Sequence, residues 1–430
     1  MSAAVPKNQL LVQIASYNTA LQGSTGLPQD LVDWLSPTLQ VSSFLAHSPR
    51  GPDIVAVGFQ ELLPLHLGLS GASKSVIDKR SSHILSQIEA NSPDKAKYSL
   101  LANIVNVGVA LLVYARDEGV ARKVRNVQTS WTGCGPGYMG NKGAVGVRFR
   151  VSDDDEHPGE AYTFVCAHLT AHQRKLQHRI ADFHHIVGTL LFPPLPFSED
   201  NSPTTIYSTS HLFFLGDLNF RIDLPKSHPM FEDPWAHVSE SLREPETRET
   251  LKEFDQLLVE RRKRSVFVGF REGEFWRFKC TYKHSLGVVD QYDAKRIPAW
   301  TDRILYTTYN DPVDNLETSR IQNLLYTYIP SYTISDHKPI VSLLLLPPAP
   351  VTTSQHTRRI PTIFLPEFYV PKPDPLATLK RYTGRTLDRI VGVCWWLFTL
   401  FGAGSAVVGI FNFFVGVTAY RWWRTSRFSV

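Results

Sequence analysis

The chain of 430 residues is 43% hydrophobic and 20% charged, a globular composition that excludes an intrinsically disordered protein. Its four cysteines have no metal-type spacing, which argues against a zinc site or a disulfide framework and fits a reducing compartment. The net charge of +5 comes from the C-terminal part, because ten basic and three acidic residues from Pro350 onward leave the preceding part slightly acidic. We therefore expect the basic tail to face an anionic membrane, and we expect no nucleic-acid partner.

Short apolar runs separated by polar loops predict β-strands from the N-terminus to about residue 347. The first is expected at residues 10–15. The clearest later strands are expected at 54–59, 107–114, 144–150, 162–167, 211–215, 303–306 and 339–346. Longer stretches between them predict helices at 173–190 and 246–264. Because no linker interrupts this pattern, residues 1–347 are expected to form one mixed α/β layered domain.

The C-terminal part changes character at about residue 348. Residues 348–389 are rich in Pro, Thr and Ser and then basic, which predicts an extended linker. Residues 390–420 are a run of 31 without a charge, longer than the ~20 apolar residues that cross a bilayer. We therefore predict a transmembrane segment there, as a single span or a re-entrant hairpin, followed by a basic tail at 421–430. Since the N-terminus shows no signal-peptide layout, the main domain is expected on the cytosolic face of the endoplasmic reticulum or another endomembrane.

Polar residues that suit phosphate chemistry stand at the ends of the predicted strands. Asp217 and Asn219 follow one strand two positions apart, so strand alternation would place both on one face. There Asp217 is suited to take a proton from water and Asn219 to hold a phosphate oxygen. Asp336 and His337 precede the last strand, and Glu61, a reasonable Mg²⁺ anchor, follows the second. Taken singly, each of these motifs also fits an ordinary turn or a surface charge.

Further polar residues follow the same arrangement. His168 ends another strand, and Asp302 leads from a tryptophan-containing turn into the next one. Asn18 follows the first strand, and Asn141-Lys142-Gly143 precedes another. Catalytic groups gather where strands end, because loops there vary over a rigid sheet. The combination therefore indicates an active site, which the single motifs do not.

Six motifs together form a recognisable set. They are Gln60-Glu61, Asn141-Lys142-Gly143, His168-Leu169-Thr170-Ala171-His172, Gly216-Asp217-Leu218-Asn219-Phe220-Arg221, Pro298-Ala299-Trp300-Thr301-Asp302-Arg303 and Ser335-Asp336-His337. This set resembles the inositol polyphosphate 5-phosphatase family of the endonuclease/exonuclease/phosphatase superfamily, over about residues 8–347. The resemblance implies a four-layer α/β sandwich around two mixed β-sheets. The tryptophan-containing motif and the Tyr282-Lys283 pair are more specific to the inositol phosphatases than the rest.

The resemblance implies roles for the residues around the metal and the water. Glu61 would ligate Mg²⁺, with Asn18 nearby in the metal and water shell. Asp217 would orient and deprotonate the attacking water, and Asn219 would hold the scissile phosphate. The implied reaction is direct hydrolysis without a covalent phosphoenzyme.

The resemblance also implies roles for the two histidines and two further carboxylates. His337, oriented by Asp302, would stabilise the phosphoryl oxygens, and His168 would contact the same phosphate. Asp336 would complete the acidic cluster.

Basic and aromatic residues hold the neighbouring ring phosphates in the family that this chain resembles. Tyr282, Lys283 and Arg296 match that pattern, and Lys142 is a further candidate. Lys283 and Arg296 taken alone also fit solvated surface charges. Two positions before Arg296 the family usually has a lysine where this chain has Ala294, which puts the preferred ring-phosphate pattern in doubt.

Two other interpretations share part of this residue set. A membrane-anchored, neutral sphingomyelinase-like phosphodiesterase of the same superfamily would share the core residues, but it would not be expected to carry Tyr282-Lys283 or the turn at Trp300. A non-catalytic scaffold that binds phosphoinositides would show no metal-dependent phosphate release. Because membrane tethering raises the effective concentration near lipid headgroups, we expect phosphatidylinositol 4,5-bisphosphate or a related lipid as the substrate. No protein partner can be inferred.

Overall fold

The computed structural model describes residues 9–20, 34–47, 50–154, 156–198, 200–348, 359–400 and 406–426. The strands within these residues are β1 (Leu11–Asn18), β2 (Ile54–Gln60), β3 (Tyr98–Asn106), β4 (Val109–Arg116), β5 (Val124–Gly133), β6 (Gly143–Val151), β7 (Glu160–His168), β8 (His211–Asp217), β9 (Arg271–Glu272), β10 (Asp302–Thr308), β11 (Gln322–Tyr328) and β12 (Ile340–Leu345). The α-helices are α1 (Ser36–Leu45), α2 (Leu65–Ser70), α3 (Ser73–Asn91), α4 (Leu176–Thr189), α5 (Pro234–Ser241), α6 (Pro245–Leu251), α7 (Gln256–Arg262), α8 (Ala377–Leu400) and α9 (Ala406–Ser426).

Two six-stranded β-sheets form the centre of the fold. Sheet A has the strand order β11-β12-β1-β2-β4-β3, and sheet B has the order β5-β6-β7-β8-β10-β9. Both sheets are mixed, because β1 runs parallel to β2 and β7 runs parallel to β8 while the other neighbours are antiparallel. The predicted α/β fold with two mixed sheets is confirmed.

The two sheets face each other across a hydrophobic core, and helices cover their outer faces. In β2, Ile54 and Ala56 point into the core between the sheets, whereas Val55 and Val57 pack with residues of α1 and α3. On the outer face of sheet B, Phe183 of α4 packs with side chains of β7 and β8. Because both faces of such a central strand are buried, its sequence is apolar throughout instead of alternating.

The elements predicted from continuous apolar runs are found in the structure. Segments without such a run differ from the prediction. Each of the eight predicted strands overlaps an observed one, and α4 forms within 173–190. The helix predicted at 246–264 is interrupted at Asp255, where the backbone is extended and the carboxylate caps α7 by accepting a hydrogen bond from the Leu258 amide at 2.9 Å. Strands β3, β5 and β11 were not predicted, because they are partly exposed and mix polar with apolar residues.

The structure differs from the linker expected at 348–389. In its described part, the amide of Ile363 donates to the Thr209 carbonyl at 2.9 Å, and the Ser210 hydroxyl donates to the Pro361 carbonyl at 2.6 Å. Ile363 is buried in the core on the outer face of sheet B. A Pro-rich stretch is extended, but a few apolar side chains are enough to hold it against the domain, and α8 then begins within the expected linker.

The transmembrane segment predicted at 390–420 is not found as one helix. The region is divided between the end of α8 and most of α9, and residues 401–405 lie outside the described residues. No helix in the described part of the chain is long and apolar enough to cross a membrane. The prediction counted uncharged residues and did not know where the helices begin and end. Helix α8 begins before the uncharged run and carries Lys380, Arg381, Arg385, Asp388 and Arg389. This corrects the expectation of a spanning segment.

A buried ion cluster holds the start of β10 in place. The fully buried Arg303 donates from Nε and Nη2 to the two carboxylate oxygens of Glu272 at 2.6 and 2.7 Å, and from Nη1 to Asp255 Oδ1 at 2.9 Å. The centre of its guanidinium also lies 3.8 Å from the ring centroid of Phe275. The arginine of the tryptophan-containing motif is therefore a structural residue that fixes the backbone next to Asp302.

We expect Arg303→Met to lower the free energy of unfolding by about 3–5 kcal/mol, because it removes the guanidinium that two buried carboxylates share and leaves Glu272 with only the longer ion pair to Arg261 at 3.3 Å. Urea denaturation followed by circular dichroism measures this change. Arg277→Met is the control, since Arg277 is exposed and pairs with the half-exposed Glu274, and it should cost less than about 1 kcal/mol. Similar small losses in both variants would show that the cluster does not stabilise the fold.

Candidate active site

The register of sheet B brings three predicted site residues side by side. His168 pairs with Asp217 across β7 and β8, and Asp217 pairs with Asp302 across β8 and β10. All three are buried. Gly216 precedes Asp217 with φ of +136°, and a Cβ there would lie 2.0 Å from the carbonyl oxygen of Ala167, so that this position requires glycine. The three side chains therefore start from one edge of the sheet, as the strand-end pattern predicts.

Sheet A brings two further predicted residues to the same place. Asn18 ends β1, and Glu61 directly follows the parallel strand β2. The Nδ2 of Asn18 donates to Asp217 Oδ2 at 2.9 Å, which joins the two sheets through their polar ends. Glu61 Oε1 lies 3.8 Å from His168 Nε2. The candidate site is thus built where the two sheets meet.

Asp217 carries a buried negative charge at the centre of this site. Its Oδ2 lies 3.3 Å from His168 Nε2 and 3.9 Å from His337 Nε2. Burial by itself would raise the pKa of Asp217, but His337, His168 and Lys142 outweigh it and hold the pKa well below its usual range. Asp217 is therefore ionised at neutral pH.

His337 is oriented through its other ring nitrogen. Its Nδ1 lies 2.9 Å from Asp302 Oδ2, which also accepts hydrogen bonds from the hydroxyls of Thr281 at 2.7 Å and Thr301 at 2.9 Å. Burial by itself would lower the pKa of His337, but the carboxylates of Asp302 and Asp217 raise it to about 9. His337 is therefore protonated at neutral pH, and its Nε2–H is on the side of Asp217.

Asn219 lies next to Asp217 in a conformation that few other residues adopt. Its φ of +57° is left-handed, which asparagine tolerates better than most residues. Its backbone amide donates to Asp217 Oδ1 at 3.0 Å, and its Nδ2 donates to the Leu169 carbonyl at 3.1 Å. Its Oδ1 accepts a hydrogen bond from Arg221. The side chain is thus fixed by both of its polar atoms.

Lys142 reaches the site from the start of β6. Its Nζ contacts the Nε2 of His168. Burial lowers the pKa of Lys142, although Asp217 and Glu61 act in the opposite direction. The lysine therefore contributes to the electrostatics of the buried site.

The remaining predicted residues lie at the rim of the site or outside it. Lys283 Nζ pairs with Asp336 Oδ2 at 2.8 Å, which places Asp336 at the rim next to the buried group. Its charge still helps to raise the pKa of His337. The ring of Tyr282 packs on His337, with centroids 4.5 Å apart. Arg296 is exposed and donates to a neighbouring backbone carbonyl, and within the described residues it contacts none of the other site residues.

The chemistry of the donor set fits a hard divalent cation. Within the described residues, one ligand atom each of Asp217, Asp302 and His337 lies within 4.8 Å of the others, a spacing that could hold a metal ion. The buried Oδ1 of Asp302 has no hydrogen-bond partner. Because the Oδ2 of Asp302 is hydrogen-bonded to His337, the same three residues are also arranged for acid–base chemistry. Glu61 has a side chain that is 30% exposed and offers carboxylate oxygens, which Mg²⁺ and Ca²⁺ prefer.

Asn18, which is predicted in the metal and water shell, contacts the central carboxylate directly. Its Oδ1 accepts a hydrogen bond from the Ala20 amide at 3.0 Å, and its Nδ2 donates to Asp217. In this arrangement Asn18 positions the carboxylate of Asp217.

Sequence reasoning missed several residues that position the site. Thr281 and Thr301 fix Asp302, and the Ser335 hydroxyl donates to the Asn18 carbonyl at 2.8 Å, which ties the His337 loop to β1. Thr301 and Ser335 lie inside the motifs, and Thr281 directly precedes Tyr282. Their position beside a candidate residue was the only available signal, because hydroxyl contacts between distant segments leave no pattern in the sequence.

Comparison with known proteins identifies the family. Residues 15–343 match the family described as Endonuclease/Exonuclease/phosphatase family 2. The chain belongs to this family. Synaptojanin-2 of Rattus norvegicus is 32% identical over 352 residues, which cover 76% of this chain and 21% of that protein. The type II inositol 1,4,5-trisphosphate 5-phosphatase of Mus musculus is 32% identical over 319 residues, covering 73% of this chain and 28% of that protein.

A solved structure agrees with these relatives. The inositol polyphosphate 5-phosphatase domain of SPSynaptojanin, in complex with inositol (1,4)-bisphosphate and a calcium ion, gives a TM-score of 0.58 at 27% identity and covers 79% of this chain and 84% of that one. The resemblance to the inositol polyphosphate 5-phosphatases is confirmed. This chain corresponds to 21% and 28% of the length of the two relatives named above. Helices α8 and α9 lie outside the residues that match the family.

We expect Asp302→Asn to lower the pKa of His337 from about 9 toward the ordinary value of about 6.5, because it removes the carboxylate that contacts Nδ1. The pH titration of the His337 ring resonances by NMR measures it. Asp336→Asn is the matched control and should lower this pKa less, since Asp336 is paired with Lys283.

The same pair predicts a pH dependence of stability with a defined sign. The folded state binds the His337 proton more tightly than the unfolded chain, so this contribution is present below about pH 6.5 and is lost as the pH rises through about 9. The urea midpoint should therefore fall between pH 7 and pH 9 by more in the wild type than in Asp302→Asn. An equal fall in both would contradict the pairing.

Proposed function

We propose that this chain hydrolyses the 5-phosphate of phosphoinositides such as phosphatidylinositol 4,5-bisphosphate, in a Mg²⁺-dependent reaction with direct attack by water. The observation that carries the proposal is the buried carboxylate of Asp217, whose Oδ2 lies 3.3 Å from His168 Nε2 and 3.9 Å from His337 Nε2 where the two sheets meet. The relatives whose names include inositol 5-phosphatase support the substrate class.

The site contains both a proton acceptor, the ionised Asp217, and a hydrogen-bond donor, the protonated His337. Asp217 accepts a hydrogen bond from the attacking water and takes its proton as the new bond to phosphorus forms. The bond from phosphorus to the inositol oxygen breaks in the same step, and that oxygen leaves as a hydroxyl with a proton from solvent, to which Asp217 returns the proton it took. His337 donates from Nε2 to a phosphoryl oxygen, and Asp302 holds the opposite nitrogen, so the ring keeps its orientation and its charge. Because these groups are fixed before substrate binds, they stabilise the developing charge without rearrangement.

Three other groups complete the phosphate site. Asn219 and His168, which both contact Asp217, would hold the same phosphate. To do so, the Nδ2 of Asn219 would exchange its hydrogen bond with the Leu169 carbonyl for one with a phosphate oxygen. Glu61 would hold the Mg²⁺ ion at the open side of the site. When bound, the ion neutralises phosphate charge and polarises its oxygens. None of these roles requires a covalent bond between the chain and the phosphate.

The rim of the site supports recognition of a second ring phosphate. Lys283 is part-exposed beside Asp336. The ring of Tyr282 packs on His337 at a tilt of 39°, and the Arg221 guanidinium lies 4.4 Å from the Tyr282 ring centroid. A point charge beside an aromatic face suits a phosphate on the inositol ring. Arg296 would have to move to join them, because it contacts none of these side chains.

We infer that the C-terminal helices attach the domain to a lipid surface, with the domain on the cytosolic face of an endomembrane such as the endoplasmic reticulum. The second half of α8 exposes large apolar side chains, among them Ile390, Trp395 and Phe398, and α9 exposes Phe411 and Phe414. An exposed apolar stretch of this size needs a covering partner, and Trp is typical of membrane interfaces.

Substitution of the central carboxylate tests the enzyme reaction. We expect Asp217→Asn to lower phosphate release from a short-chain phosphatidylinositol 4,5-bisphosphate at least ~10²-fold, because the proton acceptor is lost. Phosphate assays with Mg²⁺ and with a chelator measure the rate. Asp223→Asn, an exposed carboxylate on the same loop, is the matched control and should keep wild-type activity. Phosphate release that is unchanged by Asp217→Asn or by chelator would sink the proposal.

Membrane attachment is tested by flotation with liposomes. We expect the full chain to float with vesicles that contain phosphatidylserine, and Trp395→Ser/Phe398→Ser to float less, because both side chains are exposed on α8. Phe44→Ser, an exposed aromatic residue on α1, is the control. Equal flotation of all three proteins would contradict attachment through α8, and a protease-protected catalytic domain in cells would contradict the cytosolic face.

A further inference from the structure

The first half of α8 packs against the loop that leads to Lys142. We call residues 134–142 the Lys142 loop. Both carboxylate oxygens of Asp388 lie 3.1 Å from the backbone nitrogen of Gly140, and Asp388 is 3% exposed. This is a hydrogen bond between residues 248 positions apart. A helix beyond the family-matched residues 15–343 thus contacts a loop of the active site directly.

Glycines on both sides make this contact close. A Cβ on Gly384 of α8 would lie 1.8 Å from the carbonyl oxygen of Tyr138, and a Cβ on Gly137 would lie 2.6 Å from the side chain of Leu387. A larger residue at Gly384 would force α8 and the loop apart, because it would meet backbone, whereas at Gly137 it would displace the end of the Leu387 side chain. Helix α8 and the loop are therefore packed closely against each other, and Asp388 makes the polar contact between them.

The Lys142 loop connects Gly140 to the active site. The loop is closed by hydrogen bonds from the Cys134 amide to the Lys142 carbonyl at 2.7 Å and from the Gly135 amide to the Met139 carbonyl at 2.9 Å. Two residues after Gly140, the Lys142 side chain contacts His168. A displacement of Gly140 would therefore move the ammonium group of Lys142.

We propose that Asp388 is a positioning residue of the active site, which acts from helix α8 by holding Gly140 and thereby placing Lys142 against His168. The effect of Asp388 on turnover rests on the proposed function. The carboxylate of Asp388 is buried and accepts its hydrogen bond from the Gly140 amide. Burial raises its pKa to about 6, and the Gly140 amide, Arg389 and Arg385 oppose that shift.

Substitution of Asp388 in the full-length chain gives the first test. We expect Asp388→Ala to lower kcat about tenfold with KM changed less than about twofold, since displacement of a catalytic group by about 1 Å can cost up to ~10²-fold. Asp388→Asn keeps an oxygen that accepts from Gly140 and should restore most of kcat. Asp374→Ala is the matched control, because it removes a carboxylate that pairs with Lys380 near the start of α8 and does not contact the loop.

A double-mutant cycle separates positioning from a general loss of stability. If Asp388 acts through Lys142, Asp388→Ala should lower kcat no further in a Lys142→Ala background. A double variant whose loss equals the product of the two single losses would overturn the proposal. So would wild-type kcat in Asp388→Ala.

Hydrogen–deuterium exchange gives a result that does not depend on activity. Peptides covering residues 134–142 should exchange faster in Asp388→Ala than in the wild type and Asp374→Ala, while peptides of β2 and β8 stay unchanged. If the wild type releases no phosphate from any inositol phosphate, the proposed function fails while this arm still decides whether Asp388 holds the loop. Unchanged exchange at residues 134–142 would overturn the proposal.

Discussion

The negative charge of Asp217, buried at the junction of two β-sheets, is the constraint on which the rest of the site depends. A buried charge without partners costs several kcal/mol, so the chain has to supply compensation from several directions. It does so with His168, His337 and the amide of Asn18, each from a different strand or loop. The sheets also approach closely beneath this point, since a Cβ on Gly58 would lie 2.7 Å from a side chain of sheet B.

The groups that stabilise the charge of Asp217 also give the site its acid–base chemistry. His337 helps to hold the pKa of Asp217 low, and the carboxylates of Asp302 and Asp217 in turn raise the pKa of His337 to about 9. Opposite shifts in neighbouring titratable groups are typical of acid–base sites. Asp217 and His337 belong to the part of the chain that matches the family. Helix α8 lies outside that match, and its Asp388 accepts a hydrogen bond from the Gly140 amide. The same helix continues into its exposed apolar half, so Asp388 and the surface that we propose attaches to lipid lie on one element.

The sequence predicted the parts of this arrangement that depend on local pattern. Continuous apolar runs such as that of β2 revealed the central strands, and polar residues at their ends revealed Glu61, Asp217 and His337. Contacts between distant segments left no such signal, which is why the Asp388–Gly140 bond and the pairing of Asp336 with Lys283 were missed. The uncharged C-terminal run was interpreted by length alone, and the helix boundaries within it changed that interpretation.

The central claim is that water attacks the 5-phosphate directly, with Asp217 as the acceptor and no phosphorylated side chain. A rapid-quench single-turnover experiment tests it most directly, with phosphatidylinositol 4,5-bisphosphate radiolabelled at the 5-phosphate and the enzyme in excess. The account predicts that the label passes from lipid to inorganic phosphate at every time point, with none on the protein. Label that is trapped on the protein, or that stays on the lipid while unlabelled phosphate is released, would contradict it.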